Sequence, residues 1–202
     1  MSVRRALVAC AIVLPVLAFR PPASAWGAKK ELAFVTPPAL PTLAAVTLNA
    51  KSQTVNTTMT NFAVKDTRET KAGWNVTVNG QSGEKKSAVF AQYCPKAKCG
   101  SDAEGYVAGG HQLAANSLTL NSAGAKFGGG SGSSPTLQCS SACNVDSASA
   151  VKVASATNGE ETWTTSGFSA TSLALAVPTT VFALANEEVY RVNILWTLST
   201  GP

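Results

Sequence analysis

From Tyr190 to Leu198 the side chains at every second place are apolar: Tyr190, Val192, Ile194, Trp196 and Leu198. Arg191, Asn193, Leu195 and Thr197 fall between them. A strand turns successive side chains to opposite faces, so unbroken alternation predicts a strand with one face in a core. The same pattern recurs at Trp74, Val76 and Val78, with Asn75, Thr77 and Asn79 on the other face. Gly73 precedes that strand, and Asn79-Gly80 is a turn signal that closes it.

The rest of the chain repeats this grammar. Strands are predicted over 43–48, 53–64, 88–93, 117–121, 148–154 and 167–177, the last ending at Pro178. In 53–64, Val55, Thr57 and Met59 alternate with Thr54, Asn56 and Thr58. Residues 26–42 are Pro-rich and read as an extended lead-in, and 127–135, which contains Gly128-Gly129-Gly130, reads as a flexible loop. No Gly-Lys-Ser/Thr follows those glycines, so they are not a phosphate loop. Charged residues make up only 13% of the chain, and long, charged amphipathic helices are missing. Thr- and Val-rich strands divided by turns predict an all-β fold. The expectation is a single antiparallel β-sandwich of immunoglobulin-like type over residues 43–202, with Gly/Ser-rich loops that bear disulfides.

The N-terminus reads as an export signal. Arg4 and Arg5 precede an apolar run from Ala6 to Phe19, and Ala23-Ser24-Ala25 supplies a small-x-small exit. The run is shorter than the roughly twenty residues needed to span a bilayer. Residues 1–25 are therefore expected to be a cleaved signal peptide and the mature protein to be secreted. Leu7-Val8-Ala9-Cys10 is similar to a lipoprotein acylation motif, but it comes too early in the apolar run. The sequence predicts neither an integral membrane anchor nor a covalent wall anchor; Leu40-Pro41-Thr42 is only a fragment of a sortase motif, at the wrong end.

Removing the signal changes the charge argument. The chain carries 16 basic and 11 acidic residues, net +5, but Arg4, Arg5 and Arg20 belong to the signal. Lys85-Lys86 and the Lys96/Lys98 pair are too sparse for a nucleic-acid footprint and read as solvated loops. Cys10 leaves with the signal, so Cys94, Cys99, Cys139 and Cys143 remain. An even count in an exported chain implies disulfides. Three pairings are open; the local one, Cys94–Cys99 with Cys139–Cys143, is preferred. A zinc site from these thiols is disfavoured by their loose spacing.

Catalysis needs a nucleophile with a base, or paired carboxylates in a pocket. Asp66, Asp102, Glu104 and Asp146 are scattered, and no catalytic signature surrounds them. Asp66 and Arg68 are placed for an ion pair within a turn. His111 is the only histidine and reads as a solvated loop residue. No catalytic residue, metal site or cofactor is expected. Asn56-Thr57-Thr58 and Asn75-Val76-Thr77 match glycosylation acceptors, but the second falls inside a strand.

The stretch from Val64 to Val78, with Asp66-Thr67-Arg68 and then Gly73-Trp74, resembles the first signature of the WxL domain family. Its motif here reads Trp74-Asn75-Val76 rather than Trp-x-Leu. The stretch from Tyr190 to Pro202 is similar to the family's closing strand, with Trp196-Thr197-Leu198. Leu173 to Pro178 matches the step before the last hairpin. The four cysteines lie outside the usual pattern. The resemblance implies a secreted, non-catalytic surface protein of Gram-positive bacteria that binds peptidoglycan or another cell-wall polymer non-covalently, with other surface proteins as partners. It places Trp74, Val76, Trp196 and Leu198 at the attachment site.

Two readings of the tryptophans stay open. Trp74 and Trp196 are core residues, packed against each other across the sandwich, or they expose a ring to stack on a sugar face. Trp163, in Glu160-Glu161-Thr162-Trp163, sits in a polar stretch and reads as the better candidate for an exposed ring. The alternative function is a structural or adhesive subunit that acts by strand pairing with other proteins.

Overall fold

The computed structural model describes residues 30–158 and 160–202. The expected signal peptide, with Cys10, lies outside the described residues. The described chain is all-β. In order, the strands are β1 (Leu32–Thr36), β2 (Gln53–Thr57), β3 (Ala63–Asp66), β4 (Trp74–Gly80) and β5 (Ala91–Cys99). Then come β6 (Asp102–Tyr106), β7 (Leu118–Leu120), β8 (Lys126–Ser131), β9 (Thr136–Leu137) and β10 (Cys143–Asn144). β11 (Val151–Ala156), β12 (Glu160–Ser166), β13 (Leu173–Val177), β14 (Val189–Arg191) and β15 (Ile194–Thr200) complete the chain.

These strands form four antiparallel sheets with orders β1-β3-β12-β8, β10-β7-β13-β2, β15-β4-β11-β9 and β14-β5-β6. β1 touches β15 and β8 touches β9, so the first and third sheets meet along both edges. Between them lies a core with Val64, Phe127 and Trp163 from one sheet and Trp74, Val76, Val78 and Val153 from the other. The alternation that defined β4 sets this packing: Trp74, Val76 and Val78 are fully buried, while Asn75, Thr77 and Asn79 are half-buried. The second sheet extends the same core through Val55, Leu118, Leu173 and Leu175.

The preferred cysteine pairing is the one present. Cys94 bonds Cys99, with Cα atoms 5.7 Å apart, and Cys139 bonds Cys143 at 5.3 Å. Cys139 is part of the main core and Cys143 packs against it.

Five local expectations need correction. The segment 43–48 is not a strand; the first strand is β1, inside the stretch read as a lead-in, and it pairs with β3. Leu43 and Val46 still pack against the core, which accounts for the apolar pattern, but the segment pairs with no strand among the described residues. The stretch 53–64 is two strands in different sheets rather than one. At the break, side-chain hydroxyls replace the ladder: Ser172 Oγ accepts from Met59 N–H and Thr165 Oγ1 from Phe62 N–H, both at 2.8 Å.

Gly80 closes no tight turn. It is the last residue of β4, and a Cβ there would collide with the Ala88 backbone, so close approach explains the glycine. The expected loop at 127–135 contains strand β8, paired with β12. The closing strand is two strands: β14 pairs with β5 and β15 with β4. Asn193 makes the switch. Its N–H donates to Ser87 O, its carbonyl accepts from Gln81 N–H, and its side-chain oxygen accepts from Tyr106 Oη. The apolar/polar alternation of the sequence runs on through the switch and hides the change of partner, although Val192, Asn193 and Ile194 are all half-buried.

Candidate functional site

The two tryptophan motifs, more than a hundred residues apart in sequence, lie side by side. β4 and β15 pair with Trp74 opposite Thr200, Val76 opposite Leu198 and Val78 opposite Trp196. Residues directly opposite across an antiparallel pair share a face, so Trp74, Val76, Trp196 and Leu198 all turn towards the core.

Arg68 ties the pair together. Its Nε and Nη2 donate to the two oxygens of Asp66 at 2.9 and 2.8 Å, a fork-to-fork pair. Nη2 also donates to Gly73 O at 2.7 Å, and Nη1 donates to Thr200 Oγ1 at 2.6 Å. The Asp66 carboxyl also accepts from Arg68 N–H. Burial alone would push the Asp66 carboxyl up, but these hydrogen bonds outweigh it and hold it below its ordinary value. The ion pair expected within the turn is thus present, and it reaches the last strand. Gly73 holds a positive φ of 68°, and a Cβ there would strike the carbonyls of Ala156 and Thr157. Asn75 adds a second stitch: its Nδ2 donates to Gly201 O at 2.8 Å, and its Oδ1 accepts from Ser199 Oγ at 3.1 Å.

The tryptophans divide by depth. Trp74 has no exposed surface, and its partner across the sandwich is Phe127, with ring centroids 5.8 Å apart, rather than Trp196. Trp74 and Trp196 stand on the same face of one sheet, so they do not oppose each other across the core. Trp196 and Leu198 are half-buried on the edge strand. Trp163 is not in a polar loop. It belongs to β12, is 5% exposed, and pairs with Val64 and Gly129. Its indole lies over Gly130, where any Cβ would be driven into the ring. Gly129 and Gly130 take φ of 87° and 61°, and the β8–β12 register shifts beside them. The glycine run is the seat of Trp163. The acidic neighbours Glu160-Glu161 hid that role in the sequence; the glycines were the signal that could have found it.

With Trp74 and Trp163 enclosed, no sugar can stack on either ring in this conformation. The outer face of the same sheet is mostly polar, with Leu195 exposed opposite Asn79. Thr77 lies opposite Thr197 on one side and Lys152 on the other. Asn75 lies opposite Ser199 and Ser155, and Gln138 Nε2 donates to Ser155 Oγ at 3.1 Å. Hydroxyls and amides in parallel rows, with one lysine, can donate to and accept from the hydroxyls and amides of a polysaccharide. This surface, borne by both motifs, was not singled out from the sequence because its residues are the ordinary outward half of the alternation.

Asp146 is fully buried and accepts backbone N–H bonds from Ser117 and Leu118 at 3.0 and 2.9 Å. Burial pushes its carboxyl above the ordinary value, and those bonds oppose the shift only in part. Among the described residues no group of three or more His, Cys, Asp or Glu side chains is placed to hold a metal ion. His111 is exposed and stacks on Phe182, with ring centroids 3.9 Å apart.

The model of the WxL domain, described as a surface cell wall-binding domain, matches residues 36–202. No curated protein and no solved structure matches the chain. The matched span holds β4, β15 and the Arg68 cluster that joins them. The chain therefore belongs to the WxL family of surface cell wall-binding domains.

Proposed function

We propose that this protein is a secreted, non-catalytic module of a Gram-positive surface that binds peptidoglycan non-covalently, its first 25 residues being removed on export. The observation that carries the reading is the pairing of the two motifs in one sheet, locked by Arg68 and Asn75. The polar outer face of that sheet is the surface that meets the glycan: Asn75, Thr77, Lys152 and Thr197 supply the donors and acceptors. Trp74, Val76, Trp196, Leu198 and Trp163 act beneath it, by holding the strands in register. A buried tryptophan then matters to attachment without touching the polymer.

The test is sedimentation of the mature protein with purified peptidoglycan sacculi. Saturable recovery in the pellet is expected. Protein that stays wholly in the supernatant contradicts the proposal.

A further inference from the structure

A groove of about 1250 Å³ opens beside the sheet β10-β7-β13-β2. Its floor is core: Val55, Leu118, Leu175 and Val177 line it, each less than a tenth exposed. Its rims differ from an ordinary apolar pocket in three respects. All three residues of β14 line it, and β14 is the edge of its sheet, as β2 is of its own. An edge strand presents N–H and C=O groups with no ladder partner. The segment 43–48, strand-like in composition, runs along the other side without pairing to any strand among the described residues. Finally, Glu188, just before β14, accepts from Gln92 Nε2 of β5 at 2.8 Å, which fixes the position of this edge.

An acyl chain would fill the apolar floor but meet none of these demands. An extended peptide meets all of them. Its backbone can continue the ladder from β14, and its alternate side chains can enter the groove. We infer that this groove accepts a strand from another protein: an extended segment with apolar residues at alternate positions. The site lies on different strands from the polar glycan face, so this activity goes beyond wall attachment and does not depend on it.

The test uses fluorescein-labelled synthetic peptides of about ten residues that alternate threonine with valine, isoleucine, leucine or phenylalanine. Oleate and a peptide with the same residues in blocks serve as comparisons. Saturable binding of at least one alternating peptide is expected, with new slow-exchanging amides at Val189–Arg191. Ala183→Trp, which fills the groove from its exposed rim, should weaken that binding by roughly tenfold and leave sedimentation with sacculi unchanged. The inference is overturned if no alternating peptide binds, if oleate binds and peptides do not, if Ala183→Trp leaves peptide affinity intact, or if light scattering shows a dimer that closes the groove.

Discussion

Arg68 Nη1 donates a 2.6 Å hydrogen bond to Thr200 Oγ1 across 132 positions of sequence. One guanidinium thereby holds the turn before β4 and the end of β15, with Asp66 buried beneath it. Removing the side chain strands the Asp66 carboxylate and frees both segments. Arg68→Ala should cost about 3 kcal/mol, the scale for deleting one partner of a buried pair. Arg68→Lys should cost less, because it keeps the charge and loses the fork. Urea denaturation of the three proteins checks the order; equal stability of Arg68→Ala and the parent would show that the cluster holds nothing.

Gly130 and Gly128 belong to one strand and make opposite predictions. Gly130 has a positive φ and Trp163 above it, whereas a Cβ at Gly128 meets nothing. Gly130→Ala should destabilise by about 2 kcal/mol or more through strain and displacement of the indole, with a red shift of tryptophan emission. Gly128→Ala should be close to neutral. Thermal melts with fluorescence distinguish the pair, and similar behaviour of the two variants would refute the packing described for Trp163.

Truncation of the two motif tryptophans should also separate them. Trp74 is wholly enclosed, so Trp74→Ala should cost about 3–5 kcal/mol. Trp196 is half-buried on the edge strand and should cost about half as much when truncated. Denaturation midpoints that rank Trp196→Ala as the worse variant would place the centre of the core elsewhere.

Two buried carboxylates tilt the acid side of the stability profile in opposite senses. The Asp66 carboxyl lies below its ordinary value of 3.8. Its contribution is complete above that value and is lost as the pH falls through the lower, folded one. The Asp146 carboxyl lies above 3.8. Its contribution is complete below 3.8 and is lost as the pH rises through the folded value. Asp66→Asn should therefore be less stable than the parent at neutral pH, and the gap should narrow as the pH falls below 3.8. Denaturation at a series of pH values measures that gap; a constant difference would mean that Asp66 does not titrate as described.

The alternation in β4 and β15 placed both strands and their buried faces correctly, because a period of two is enforced by the backbone itself. The Asp66–Arg68 pair was legible for a similar reason: two residues of separation across a turn leave little else for the side chains to do. Partnership between strands was not legible. Nothing in the sequence of Tyr190–Leu198 marks Asn193 as the point of exchange between sheets, since the apolar/polar alternation continues through it; the structure shows the break, with Val192, Asn193 and Ile194 all half-buried. The segment 43–48 has a strand's composition and pairs with no strand among the described residues. Trp163 was misplaced because its polar neighbours in sequence say nothing of its own environment, which is set by glycines more than thirty residues earlier.

Wall attachment is proposed to run through the outer face of the β4–β15 pair. Sedimentation with purified sacculi of a Thr77→Ala/Thr197→Ala/Lys152→Ala variant, beside the parent, tests it most directly. These side chains face away from the core, so the variant should keep the parent's melting midpoint. It should lose roughly tenfold or more in affinity for sacculi. A folded variant that pellets as well as the parent would contradict the account.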